Sequence, residues 1–365
     1  LFDGFSGRDD AGSTAEVAKL VNAPVILIID AGSMARSAAA IALGYARFDP
    51  ILSLKGYVVN NIASQRHFEW VKEAIEQSTS IPVVGYLPRD ASLKMPERHL
   101  GLVPTPEMAS TRFIEPLAER IEKTIDVNRL AEIARSAGPL PQVKARFIAP
   151  GAVGANIAIA RDEAFSFYYQ DNLDLLESFG ASLLPFSPLH DGTLPEGAQG
   201  IYLGGGFPEM YAGVLSSNRS MIESVRRAAL QGMPLYGECG GLMYLSEGII
   251  DFEGRRYPMV GLVPGWSVMR NKLARMGYVE LEFRHDTILG SKGTRLRGHE
   301  FHWSEMETKT SSAAYQILHP EPRSEGYAHG NIMASYVHLH FGTEPGLARA
   351  FVEACSGWAH SPKHP

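Results

Sequence analysis

Residues 233–245 read Met-Pro-Leu-Tyr-Gly-Glu-Cys-Gly-Gly-Leu-Met-Tyr-Leu. The apolar run Met233 to Tyr236 has the character of a buried strand, and Leu242, Met243 and Leu245 begin a helix-like pattern. Cys239, Gly240 and Gly241 occupy the turn between them. A strand that breaks into a helix through so tight a turn lifts the turn residue out of the sheet, and small neighbours permit the strained backbone. A thiol placed there is exposed to substrate and sits at the positive end of a helix, which favours the thiolate. Adjacent backbone N–H groups can face a developing oxyanion. On this stretch alone, a buried structural thiol is an equally good reading.

Outward from this turn, strands and helices alternate on both sides. Upstream, Ile157 to Ala160, Ser182 to Phe186 and Gly200 to Leu203 read as strands, and Asp171 to Phe179 and Asn218 to Leu230 as helices. Downstream of Gly248 the chain turns β-rich, with strands expected over Tyr257 to Leu262, Tyr278 to Phe283 and Gly298 to Trp303. A strand-like segment, Ala334 to Phe341, and a helix from Gly346 to Ala354 close it. The first half has its own alternation: helices over Ala15 to Val21, Met34 to Ala46 and His67 to Gln77, strands over Pro24 to Ile29, Leu54 to Val59 and Ile81 to Leu87, and one or two helices over Glu115 to Ser136. Such patterns describe βαβ units with a mostly parallel sheet, whose ligands bind beyond the carboxyl ends of the strands. Asp30, Asn60-Asn61 and the Pro88-Arg89-Asp90 turn stand at those ends, though each alone is more simply a polar loop residue.

A chain of 365 residues calls for two domains. The segment with three prolines and fading periodicity, Gly138 to Pro150, is the linker candidate, so domains are expected over residues 1–137 and 156–356, joined by 138–155. A net charge of -6 and the lack of a basic run argue against nucleic acid as a partner. No apolar run reaches transmembrane length, so no membrane partner is expected. Two cysteines are too few for a disulfide scaffold and point to a reducing, cytoplasmic compartment.

Two further features converge on the Cys239 turn. Gly204-Gly205-Gly206 follows an apolar strand directly, as a substrate cradle or oxyanion hole requires, and no Lys-Ser or Lys-Thr follows to make it a P-loop. His338 and His340 alternate in a strand-like segment and share a face, so either could serve as base to a thiol. His299 and His302 add imidazoles, but the spacing is not of zinc type and no metal ligand is assigned.

Glu238 to Leu245, with Leu203 to Glu209 upstream and Tyr336-Val337-His338 downstream, resembles the class I glutamine amidotransferases, and more closely the amidotransferase half of the cobyrinic acid a,c-diamide synthases. Phe165 to Tyr169 with Asn172-Leu173, Arg297 to His302, and Pro96 to Leu102 are similar to that family too. The resemblance implies an α/β protein of two αβ domains: a partial P-loop-type, dethiobiotin-synthetase-like parallel sheet and a class I amidotransferase domain. It implies Cys239 as nucleophile toward the glutamine side-chain amide and His338, two residues after the Tyr, as its base. Gly204, Gly205 and Gly240 become oxyanion candidates. No acidic third member is assigned, since that branch typically lacks one.

The first half would use ATP and Mg²⁺ to activate the a and c acetate carboxylates of a corrinoid as acyl phosphates, which ammonia then converts to amides. Asn60 is the implied contact to the nucleotide base, and Asp3 is expected near the phosphates or metal. The same motifs suit hydrogenobyrinic acid or nickel-sirohydrochlorin as substrate, and a homodimer is left open. One departure stands out: no Gly-x-x-x-x-Gly-Lys-Thr occurs in these residues, and the chain opens Leu1-Phe2-Asp3-Gly4 without an initiator Met. The expectation is therefore a chain lacking its beginning, with the principal nucleotide-phosphate site outside it, able to hydrolyse glutamine but not to complete the ATP-dependent step.

Overall fold

The computed structural model describes residues 1–4, 7–93, 111–140, 142, 154–307 and 312–360. Two compact units emerge, Leu1–Lys144 and Ala145–Pro365. The Pro96–Leu102 motif and most of the 138–155 linker lie outside the described residues.

The first unit runs α1 (Thr14–Leu20), β1 (Val25–Asp30), α2 (Arg36–Phe48), β2 (Leu54–Ile62), α3 (Gln65–Thr79), β3 (Val83–Pro88), α4 (Thr111–Thr124) and α5 (Val127–Arg135). Strands β1, β2 and β3 pair in parallel in that order. The alanine stripe of α2 (Ala38, Ala39, Ala42) lets it lie close on Tyr57, Val59 and Ile62, with Val71 and Ile75 of α3 in the same core. Ser64 starts α3 by accepting the His67 N–H at 3.2 Å, and Asp126 starts α5 by accepting that of Arg129 at 2.9 Å. That second cap is why the 115–136 periodicity resolves into two helices.

The second unit opens with β4 (Ala155–Ala160), β5 (Phe165–Phe167), α6 (Gln170–Ser178), β6 (Ala181–Phe186), β7 (Gly200–Leu203) and β8 (Gly205–Gly206). Next come α7 (Ala212–Ser217), α8 (Arg219–Leu230), β9 (Leu235–Glu238), α9 (Gly240–Leu245), β10 (Ser246–Ile250), β11 (Arg256–Pro258), β12 (Val263–Met269) and β13 (Arg275–Phe283). The remainder is β14 (Arg295–His302), β15 (Ser304–Glu307), β16 (Tyr315–His319), β17 (Arg323–Glu325), β18 (Tyr327–His329), β19 (Ile332–Ser335), β20 (His338–Leu339) and α10 (Gly346–His360).

Its central sheet has the order β18-β19-β9-β7-β4-β6, parallel except for the edge strand β18. Strand alternation divides the core in two. Ile201, Leu203 and Leu235 pack with Met221, Ile222 and Val225 of α8. Tyr202 and Tyr236, from the same strands, pack with Leu173 and Leu176 of α6 and Phe351 and Val352 of α10. Cys355 of α10 is fully buried there, its Sγ only 2.2 Å from where a Cβ on Gly200 would stand, and burial pushes its thiol up.

Two expectations need correction. Tyr257 to Leu262 is not one strand: β11 ends at Pro258 and β12 starts at Val263. The backbone between them turns through Gly261 (φ +73°), and the N–H groups of Val260, Gly261 and Leu262 bond instead to the carbonyls of Tyr244, Ser246 and Leu245. Ala334 to Phe341 is likewise broken. The Tyr336 and Val337 N–H groups are taken by Glu325 Oε1 (3.0 Å) and Ser335 Oγ (2.8 Å), and the chain passes from the central sheet to the five-stranded sheet β17-β16-β13-β14-β20.

Close approach of α9 to β7 depends on Gly241, where a Cβ would stand 2.3 Å from the Leu203 carbonyl oxygen. Alanine improves helix propensity by about 1 kcal/mol, but overpacking against backbone costs up to about 3 kcal/mol. The clash wins, so Gly241→Ala is expected to lower the denaturation midpoint of the second unit, read by a urea titration. An unchanged midpoint would contradict this packing.

Candidate active site

Cys239 lies between β9 and α9 with φ +48° and ψ -101°, a region that side chains rarely enter. Its N–H donates to the Ser335 carbonyl at 2.7 Å, anchoring the turn to the end of β19. The residues around it are glycines because nothing larger fits. A Cβ on Gly240 would stand 3.0 Å from Pro208 Cδ and one on Gly206 2.0 Å from the Ala164 carbonyl oxygen. The thiol's residue is only 8% exposed.

His338 arrives on β20, paired in register with His299 of β14. Asn172 of α6, fully buried, clamps the segment: its Nδ2 donates to the Leu339 carbonyl at 2.8 Å and its Oδ1 accepts the Phe341 N–H at 2.7 Å. The His338 ring lies beside Cys239 and, through Nδ1, faces Glu238 Oε2 at 3.6 Å. Nδ1 is buried without a hydrogen-bond partner among the described residues. Burial works against a charge on His338, but the Cys239 and Glu238 side chains outweigh it and push the imidazole up to about 10.

The sequence-level candidates separate as follows. Cys239, His338, Gly205 and Gly240 come together: a Cβ on Gly205 would stand 2.6 Å from His338 Cε1, and Gly240 opens α9, where the first N–H groups lack intrahelical partners. Gly204 belongs to the same loop, but its amide is not available as an oxyanion donor. The Gly204 N–H donates to the Tyr168 hydroxyl at 2.9 Å, and its carbonyl accepts from Gly241. His340, expected on the same face as His338, leaves the strand. It accepts the Gly342 N–H at 3.1 Å and pairs with Asp171 at 3.2 Å.

His299 and His302 do not share a site either. His299 stacks on His338 with ring centroids 5.0 Å apart, its Nδ1 at 3.0 Å from the Tyr169 hydroxyl. His302 stacks on Tyr336 at 4.0 Å. Burial and the neighbouring His338 charge lower His299 to about 4, so it stands as a neutral ring beside a charged one.

Two residues were not singled out by their sequence context. Glu238 is buried against His338, and Tyr168 holds the glycine loop through its hydroxyl. Both sit inside recognised motifs, and only strand alternation, which puts Tyr236 and Glu238 on one face of β9, could have indicated the first. A cavity of 390 Å³ opens beside α9, lined among others by Leu242, Tyr336, His302, Glu300, Arg323 and Glu325. Glu300 is salt-bridged to Arg323 inside it, and His302 Nε2 lies buried without a hydrogen bond among the described residues, 3.9 Å from Glu300 Oε1.

In the first unit, Asp30, Asn60 and Arg89 cluster at the carboxyl ends of β1, β2 and β3. Asp30 pairs in register with Asn60, and its carboxylate accepts the Gly32 N–H and the Asn61 amide, both at 2.8 Å. A Cβ on Gly32 would stand 3.0 Å from Asp30 Oδ1 and 3.5 Å from the Arg89 guanidinium. Asp3 is elsewhere. Phe2 beside it packs on Tyr45 and Phe48, the end of α2 remote from the strand carboxyl ends, so Asp3 is not brought to Asn60. The reason is direction: α2 leaves β1 at the carboxyl edge and runs back to the opposite one.

Residues 156–346 match the family described as CobB/CobQ-like glutamine amidotransferase domain, and residues 4–103 match the CobQ/CobB/MinD/ParA nucleotide binding domain. The chain is 51% identical to the cobyrinate a,c-diamide synthase of Dehalococcoides mccartyi, over 98% of this chain and 80% of that protein. It is 44% identical to that of Caldanaerobacter subterraneus subsp. tengcongensis (98% and 79% covered) and 45% identical to that of Listeria innocua (95% and 78% covered). The α/β architecture and the motifs around Cys239 thus agree with the resemblance read from the sequence, and the chain belongs to the cobyrinate a,c-diamide synthase family, with a nucleotide-binding domain followed by a glutamine amidotransferase domain.

Proposed function

We propose that the protein amidates the a and c acetate side chains of cobyrinic acid, with glutamine as nitrogen donor and ATP as the activating substrate. The observation that carries this reading is the Cys239–His338 pair at a strained strand–helix turn facing a glycine loop. Cys239 attacks the carbonyl carbon of the glutamine side-chain amide, and the N–H groups of Gly205 and Gly240 receive the oxyanion. On collapse the C–N bond breaks, His338 gives its proton to the departing ammonia, and a γ-glutamyl thioester remains. His338 then takes a proton from water as it attacks the thioester, releasing glutamate and restoring the thiol. The adjoining cavity falls in the size range of small-molecule sites, and its mixture of arginine and carboxylate groups suits the zwitterionic end of an amino acid.

In the nucleotide-binding domain the acetate carboxylate is phosphorylated by ATP, so that phosphate rather than oxide leaves when ammonia attacks. Asn60, at the carboxyl end of β2, is the proposed contact to the nucleotide base. The fit to Mg²⁺ is poor among the described residues: both Asp30 oxygens are already engaged by Gly32 and Asn61.

The test is turnover of the full-length protein with ATP, cobyrinic acid and glutamine labelled with ¹⁵N in its side-chain amide. The expected product carries two labelled amides; a product without label would refute the reading. Hydrogenobyrinic acid and nickel-sirohydrochlorin serve as competing substrates in the same assay. A pH profile provides a second check. The His338 proton needed by the departing ammonia is present below about 10 and lost as pH rises through that value. Glutamate release should therefore persist through mildly alkaline pH and fall near 10; a fall at the ordinary histidine range would mean that His338 is unpaired.

A further inference from the structure

We propose that Glu238, the residue immediately before the nucleophile, is the positioning carboxylate of the amidotransferase site, holding His338 in orientation and charge for Cys239. This rests on the assignment of Cys239 and His338 above and adds the acidic partner for which the chain after His338 offers no candidate: Leu339 and His340 follow it.

Alternation along β9 puts Glu238 on the face of Tyr236, beneath the turn that carries Cys239. Its side chain is almost fully buried. Oε1 accepts the Leu339 N–H at 3.2 Å and the Tyr236 hydroxyl, and Oε2 accepts the Tyr202 hydroxyl at 3.2 Å while facing His338 Nδ1 at 3.6 Å. Three neutral donors thus fix the carboxylate without neutralising it. Among the described residues no Lys or Arg pairs with it, which leaves the imidazole as its counter-charge. An uncompensated buried carboxylate is costly, so charge on His338 and charge on Glu238 stabilise each other.

Position and spacing serve the same end. Glu238 also holds the Leu339 N–H, next in the chain to His338, so the carboxylate orients the ring and tethers the backbone that bears it. The Nδ1 separation, 3.6 Å, is longer than a hydrogen bond and lets the carboxylate act on the ring through its charge. The other groups around the ring are the Cys239 thiol, the neutral His299 stacked on it and the edge of Phe167. None of these carries the carboxylate charge that Glu238 brings to Nδ1.

The experiment compares Glu238→Gln, Glu238→Asp and Cys239→Ala with the wild type in the full-length protein. It measures glutamate release against pH, ammonia-dependent amidation and thermal melting. In Glu238→Gln an amide N–H points at Nδ1 and selects the tautomer protonated on Nε2, which cannot take the thiol proton. The expected result is a fall on the order of 10²-fold in kcat for glutamine with KM little changed. The alkaline limb should move to lower pH, and ammonia-dependent amidation should stay intact. Glu238→Asp, which keeps the charge one methylene further back, should restore part of the rate and the alkaline limb. Wild-type kcat and pH profile in Glu238→Gln would overturn the proposal, as would an aspartate variant no better than the glutamine one. Should Glu238→Gln fail to fold, Glu238→Asp decides alone: reduced kcat at unchanged ammonia-dependent rate supports the role, and wild-type kcat refutes it. A Cys239→Ala protein that still hydrolyses glutamine would instead overturn the underlying assignment of the nucleophile.

Discussion

Cys239→Ala is expected to lower glutamine hydrolysis by roughly 10⁴-fold or more while leaving ammonia-dependent amidation in the full-length protein unaffected. No other group in the site can replace the sulfur: His338 is the proposed base, and the glycine loop offers only backbone. The backbone makes the substitution informative a second time. At φ +48° and ψ -101° any side chain is strained, at a cost of about 1–3 kcal/mol. Cys239→Gly should therefore be as inactive as the alanine variant and melt at a higher temperature than it. Equal melting temperatures would mean that the turn relaxes without its thiol, and residual glutaminase in either variant would remove Cys239 from the mechanism.

Gly205→Ala should lower kcat for glutamine on the order of 10²-fold, the scale of a displacement of about 1 Å at a reacting group. The new methyl would stand 2.6 Å from His338 Cε1 and 3.3 Å from Phe167 Cβ. His338 has little room to yield: His299 stacks on it at 5.0 Å, Phe167 meets it edge-on, and Asn172 clamps the chain that follows. Gly205 has no backbone need to be glycine by φ, so the fold should survive and the loss should appear in kcat rather than in melting. Wild-type kcat in this variant would show that the ring is not fixed where the structure has it.

Much of this site was legible before the structure because its requirements are local. A thiol between strand and helix with two glycines behind it, and a triple glycine after a strand, are constraints written in adjacent residues. What was hidden depended on partners distant in sequence. Gly204 looks like Gly205 until Tyr168, 36 residues away, takes its amide. Glu238 reads as part of a motif until β20 delivers His338 against it, and His340 shares the strand pattern of His338 until the chain caps a turn there. The fold followed the same division. Parallel strands with continuous apolar runs were recognisable, whereas the break between β11 and β12 came from backbone bonds to Tyr244, Leu245 and Ser246, which no local periodicity announces.

The two cysteines end in opposite circumstances, and that gives the protein a built-in means of counting. Cys355 is sealed beneath the sheet, its thiol pushed up by burial, while Cys239 stands in the turn at the head of α9 beside the His338 imidazole. A dilute alkylating reagent at neutral pH should consume one equivalent per chain, and glutamine analogues that acylate the nucleophile should protect that equivalent. The stoichiometry of labelling then reports the fraction of molecules with an assembled amidotransferase site, directly from a single spectrum of the intact protein and without an activity assay.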